Sequence, residues 1–262
     1  MRSNSKFLVL NLCLVLGVAG CASPPPTGEV ELAKATIEKA IAAGAASFAV
    51  ESLKAARQAQ AALDAELKTQ EAKRFKSYDK AKDLAVAVQA AGDKAAADAA
   101  AGKEKTMAEA TSATSEDRNG PNLFRNGNFA EGLQGWNRHP ESDSDVSIDL
   151  SRPNERAWHT KYRKGNWGVI YQELALQPDT VYVYEATVKT TAQLVALYWQ
   201  SEIGRFLESD KPYPEWTHLR YVFLTPHWTG QPYRTGFNPV LMKGPGDAWL
   251  KDLRLFEFKA KG

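Results

Sequence analysis

A chain of 262 residues with 33 Lys and Arg against 31 Asp and Glu carries a formal charge of +2. That is too close to balance to imply a nucleic-acid or other polyanionic partner for the chain as a whole. The composition is uneven: residues 29–110 hold 28 alanines and no tryptophan, whereas all seven tryptophans fall between 136 and 249. Segments this different rarely share one core, so two domains are expected.

At the N-terminus, Arg2 and Lys6 precede an apolar run from Phe7 to Val18, shorter than the ~20 residues a membrane span needs. The run ends in Val18-Ala19-Gly20-Cys21. These residues resemble the lipobox of bacterial lipoproteins. The resemblance implies a signal peptide over 1–20 that is removed, and a Cys21 that is diacylated, palmitate being the typical acyl group, and becomes the new N-terminus. Ala22 after the cysteine resembles the outer-membrane sorting pattern, so a lipid-anchored position on the periplasmic or cell-surface face is expected. Several acyl chains, at about 0.8 kcal/mol per buried methylene, anchor stably. With Cys13 in the removed segment and Cys21 taken by lipid, the mature chain has no disulfide.

Residues 21–28, with Pro24-Pro25-Pro26, read as a stiff spacer. Residues 29–102 are Ala-rich, and Ala has the highest helix propensity. Ile37 and Ile41 place a first helix near 29–43, which Gly44 interrupts. Leu53, Leu63 and Leu67 stripe a second from Ser47 to about Lys73, and Leu84 and Val88 a third from Tyr78 to Ala101. Alanine faces approach closely but bury little area, which favours a helical hairpin or rod. Such helices offer a surface for self-association or for an envelope protein partner. The spacing of Ala, Gly-Ala and Leu and the ending YDKAKDLAVAVQAA resemble the lipoprotein helical family called domain of unknown function 4398, over about residues 28–100. Residues 103–120 lack apolar periodicity and read as a flexible linker.

From Pro121 the texture is that of strands: 167–176, 181–190, 194–200, 216–225, 236–243 and 248–259 are rich in Val, Tyr, Trp, Phe and Leu and are separated by Pro- and Gly-containing turns. Residues 121–262 are therefore expected to form an all-β jelly-roll sandwich. Asn122-Leu123-Phe124-Arg125-Asn126-Gly127-Asn128-Phe129 with Gly132 and Gly135-Trp136, then Gly168-Val169-Ile170-Tyr171-Gln172-Glu173-Leu174, and finally Trp249-Leu250-Lys251-Asp252-Leu253-Arg254-Leu255, resemble carbohydrate-binding modules of families 4, 9 and 22. This resemblance implies a glycan ligand bound without catalysis.

Period-two alternation assigns faces. Ile170, Gln172 and Leu174 look inward, leaving Tyr171 and Glu173 outward; Leu219, Tyr221 and Phe223 look inward, leaving His218 and Arg220 outward. Tyr171, Trp199, His218 and Arg220 are thus expected to line one open face, where an aromatic ring stacks on a sugar and polar groups hold its hydroxyls. Trp167, Trp228 and Tyr233, at strand or loop edges, join the candidates; Trp136 and Trp216 read as packing, and Lys161–Lys164 as a solvated basic loop.

Modules of the resembled families often hold a structural calcium. The corresponding positions here are Ala130 and Lys251, with Glu131 and Asp252 beside them, so neither calcium nor another cofactor is expected. The four histidines show no metal-ligand spacing, and neither a G-x-S-x-G elbow nor a phosphate-binding glycine loop is present, so the chain is read as a non-enzyme. The rival expectation is a structural or adaptor lipoprotein whose helices and sandwich contact proteins of the envelope.

Overall fold

The computed structural model describes residues 24–114, 120–138, 144–152, 155–163, 170–191, 193–199, 205–208, 211–230, 233–243 and 245–259, with the backbone alone for 144, 146, 151–152, 155, 193–199, 205–208 and all but Gly236 of 233–243. The signal segment and Cys21 lie outside the described residues. None of the described helices is long and apolar enough to cross a membrane.

Four helices come first: α1 (Thr27–Ala42), α2 (Ala45–Phe48), α3 (Val50–Glu71) and α4 (Asp79–Ser112). The expected hairpin is α3 against α4, with α1 laid along α4 as a third member. Ser52 bonds Asp98 and Lys80 Nζ lies 2.7 Å from Glu66, so α3 and α4 run antiparallel. Gln89 donates to the Glu29 carbonyl and Lys39 pairs with Asp93, so α1 runs parallel to α4. Their shared core is alanine (Ala33, Ala40, Ala56, Ala81, Ala85, Ala95, Ala99) keyed by Ile37, Leu53, Leu63 and Val88. A Cβ on Gly92 would stand 2.7 Å from the Thr36 hydroxyl, so this close crossing of α1 and α4 requires glycine.

Helix α4 is longer than expected. Residues 103–112, anticipated as linker, continue it, and only 113–120 remain between the helix and the sandwich. These residues lack the bundle's apolar period because their buried side chains serve another surface. Met107, Ala110 and Ala113 pack with Phe48 on Val181, Val183, Val222, Leu224, Phe256 and Phe258 of the sandwich.

The sandwich contains two five-stranded antiparallel sheets, which meets the jelly-roll expectation. The strands are β1 (Asn137–Arg138), β2 (Ser144–Arg152), β3 (Glu155–Tyr162), β4 (Ile170–Leu176), β5 (Val181–Thr190), β6 (Gln193–Trp199), β7 (Arg205–Glu208), β8 (Thr217–Leu224), β9 (Tyr233–Lys243) and β10 (Gly246–Glu257). The first sheet has the order β1-β4-β9-β6-β7 and the second β2-β3-β10-β5-β8. Strands β1, β2, β3 and β7 have no counterpart in the sequence reading. In β3, Trp158, Thr160 and Tyr162 are buried while His159 and Lys161 alternate with them, so the run anticipated as a solvated loop contributes Tyr162 to the core.

The opening motif is pinned to the last strand. Asn122 accepts from the Phe124 and Leu255 amides and donates to the Leu253 carbonyl at 3.0–3.1 Å. Trp136 stacks at 5.5 Å on both Phe124 and Phe129, in line with its reading as a packing residue.

Strand β5 is covered on both sides. Tyr182, Tyr184, Ala186 and Val188 enter the sandwich core, while Val181 and Val183 meet the helices. At the edge of this contact, the Arg220 guanidinium donates to the carbonyls of Ala110 (2.6 Å) and Thr111 (3.1 Å) and lies 3.3 Å from Glu185. Arginine there satisfies otherwise unbonded carbonyls at the negative end of α4. Asp179, only 5% exposed, adds a second clasp between Lys103 (3.6 Å) and His227 (2.6 Å).

Removing the guanidinium leaves Glu185, 3% exposed, as a buried carboxylate without its cation. Arg220→Ala is expected to destabilise residues 22–262 by roughly 3–5 kcal/mol in urea unfolding. A loss below about 1 kcal/mol would show that this clasp does not hold the helices to the sheet.

Candidate functional site

The helices cover the outer face of the second sheet at β5, β8 and the end of β10, whereas β4 of the first sheet keeps an exposed outer face. Ile170, Gln172, Leu174 and Leu176 are buried while Glu173 and Ala175 are exposed and Tyr171 is half-buried, the alternation of a strand with one wet face. Gln172 is an amide at a core position because it closes two bonds with the opening motif: it accepts from the Arg125 amide (3.1 Å) and donates to the Arg125 carbonyl (2.6 Å). That bond pair fixes β4, and with it the phase of Tyr171 and Glu173.

Across the ladder, Glu173 is opposite Gly236 of β9, and Tyr171 is opposite Asn137 of β1. A Cβ on Gly236 would sit 3.2 Å from Tyr171 Cδ2, so the tyrosine ring occupies space that any other residue would fill. Glycine in a strand often marks such a close approach. The described part of this face thus joins one aromatic ring, the exposed Glu173 carboxylate and the exposed Asn137 amide. Such a set suits a neutral polyhydroxylated ligand: the ring takes a C–H face, and the amide and carboxylate take hydroxyls.

The structure divides the expected constellation. Tyr171 is on the first sheet, whereas His218 and Arg220 are on β8 of the second, opposite Thr187 and Glu185. Alternation placed all three outward correctly but carries no information on which sheet each strand joins. His218 is exposed on the wrong side for this face, and Arg220 is committed to Glu185 and the end of α4. Trp199 lies on the first sheet, its backbone opposite Phe237, which is opposite Gln172; Tyr198 is opposite Asn238. The Trp199 side chain lies outside the described residues, as does all of Trp167. Tyr233, expected in a loop, opens β9 opposite Leu176, at the far end of β4 from Tyr171. Half-buried Trp228 follows His227, beside the Asp179 clasp. Neither Asn137 nor Gly236 was anticipated; a glycine between Thr235 and Phe237 in a strand was the available signal.

A second aromatic row crosses the other sheet. Trp249 stands between His159, stacked at 4.6 Å and 10°, and the Lys189 ammonium, 5.4 Å from the ring centre. Neighbours on both flanking strands take the indole faces a sugar would need. Trp216 likewise has the Lys251 ammonium 4.9 Å over its ring.

That contact also bears on calcium. Lys251, at one of the positions where the resembled modules carry an acid, points its charge at an aromatic ring. Asp252 is exposed on the β10 bulge with φ 55°, and the Ala130 carbonyl accepts from Arg156. Among the described residues no three His, Cys, Asp or Glu side chains gather as a metal would require.

No family model matches the chain, and no curated protein matches it. Solved structures do. The CBM22-1 xylan-binding domain from Paenibacillus barcinonensis Xyn10C is 15% identical with a TM-score of 0.44, covering 55% of this chain and 99% of that one. A family 16 carbohydrate-binding module is 21% identical with a TM-score of 0.37, covering 52% and 100%. The N-terminal cellulose-binding domain of Cellulomonas fimi β-1,4-glucanase C is 15% identical with a TM-score of 0.31, covering 50% and 98%. At these identities the likeness is one of fold.

Proposed function

We propose that this chain is an envelope lipoprotein, held in the outer membrane by lipid on Cys21, that binds a poly- or oligosaccharide without catalysis through the outer face of β1-β4-β9-β6-β7. The observation that carries the reading is the Tyr171 ring seated over Gly236 beside Glu173 and Asn137, on the sheet that the helices leave uncovered. Glu173 is one carboxylate among the described side chains of β1 and β4, where glycoside hydrolysis uses a pair. The rival adaptor reading loses one of its surfaces, because the outer face of β5 and β8 is spent on the chain's own helices.

The test is a polysaccharide panel against residues 22–262. Tyr171→Ala is expected to weaken binding roughly tenfold or more, as removal of a central aromatic anchor does. Gly236→Val, which displaces the ring, should do the same, and His218→Ala should leave affinity within about twofold. Glycan binding that survives Tyr171→Ala but is lost with His218→Ala would move the site to the other sheet. Binding to no glycan in the panel, with envelope proteins retained instead, would favour the adaptor. Separately, the full-length chain is expected to incorporate labelled palmitate and the Cys21→Ser variant to incorporate none; equal labelling of the variant would refute the anchor.

A further inference from the structure

The end of the bundle remote from the sandwich carries a surface of different chemistry. Between α3 and α4, residues 71–77 are all exposed, and Phe75 at 83% is the most exposed large apolar side chain described. Lys73, Arg74 and Lys76 flank it, and the Arg74 guanidinium sits 5.7 Å from the Phe75 ring. Across the exposed run 71–77 three cations, Lys73, Arg74 and Lys76, stand against one carboxylate, Glu71, a local excess that the near-neutral chain does not share. Glu66, five residues before Glu71 on α3, is already occupied: Lys80 and Gln70 bond it and hold its carboxyl below the usual range.

We infer that this loop is a membrane-contact element that rests on an anionic phospholipid surface. In that contact Phe75 enters the interface and Lys73, Arg74 and Lys76 lie against phosphates. An exposed aromatic inside a basic cluster is matched to that surface by both burial and charge.

The direction of the helices agrees. Because α1 runs parallel to α4, its first turn lies level with Gln89, at the bundle's outer part, while Phe48, Met107 and Ala110 face the sandwich. From Gln89 to Asp79 is ten residues, about 15 Å of helix. Five residues separate Cys21 from Thr27, and the six steps between them span at most ~20 Å. The chain between anchor and α1 is therefore long enough for the lipid and the loop to reach one plane. This alignment rests on the lipid-anchor reading; the loop's own affinity does not.

Residues 22–262 without lipid separate the two. Partition onto vesicles of phosphatidylglycerol and phosphatidylcholine should exceed partition onto phosphatidylcholine alone at least tenfold, and weaken with salt. The triple variant K73A/R74A/K76A should lose roughly a hundredfold, at about fivefold per cation. Phe75→Ser should lose several-fold more than salt alone removes. All the altered side chains are exposed, so circular dichroism should stay unchanged. Equal binding to both vesicle types, or full binding by the triple variant, would overturn the inference. So would a Phe75→Ser variant that binds as wild type while soluble polyphosphate competes fully, since the loop would then be a polyanion site rather than a bilayer contact. Palmitate labelling that survives Cys21→Ser would contradict the anchor and not the loop.

Discussion

The arrangement of the molecule depends on one contact, the seating of α4 and Phe48 on the outer face of β5, β8 and β10. Without it, Val181, Val183, Val222, Leu224, Phe256 and Phe258 would form an apolar face exposed to water. With it, the helices become the third layer of the sandwich and the two sheets cease to be equivalent. The apolar patch supplies the non-directional part of the attraction. Arg220, fixed by Glu185 and by two carbonyls of α4, supplies direction, because a planar guanidinium tolerates few alternative geometries. Asp179, held between Lys103 and His227, adds a second point of attachment. Two points resist rotation where one would allow it.

The helical layer and the existence of the sandwich were legible because local preference and global fold agree there. Alanine-rich segments with Leu53, Leu63 and Val88 at helical spacing became helices, and Val181–Thr190 became β5 with the same boundaries. Alternation also gave the inward sets correctly on β4 and β8. Sheet membership was not legible, since period two distinguishes faces of a strand but says nothing of its neighbours. Arg220 and Tyr171 were therefore expected on one face and stand on different sheets. The run 103–112 was misjudged because its partners, Val181 and Phe256, are far off in sequence and impose no helical period of their own. In β3, Trp158 and Tyr162 were masked by the charged residues that alternate with them.

Functionally, the contact gives the chain a polarity. The basic loop at Phe75 lies at the end remote from the sandwich, and α4, 34 residues or about 51 Å long, joins the two ends. A sandwich whose second sheet is bound to this strut presents its first sheet in a set direction, and under the proposed glycan reading Tyr171 is seated over Gly236 in advance of the ligand. Preorganisation of that kind lowers the ordering cost of binding. The Asn122 and Gln172 bond pairs serve the same end by fixing β4 and β10 to the opening motif.

Hydrogen exchange on residues 22–262, with and without a bound polysaccharide, tests this asymmetry most directly. The two sheets contribute separate peptides, and the amides of 217–224 report the face beneath the helices. Ligand is predicted to slow exchange in 170–176 and around 137, and to leave 217–224 unchanged. Slowing confined to 217–224, with 170–176 unaffected, would contradict the account.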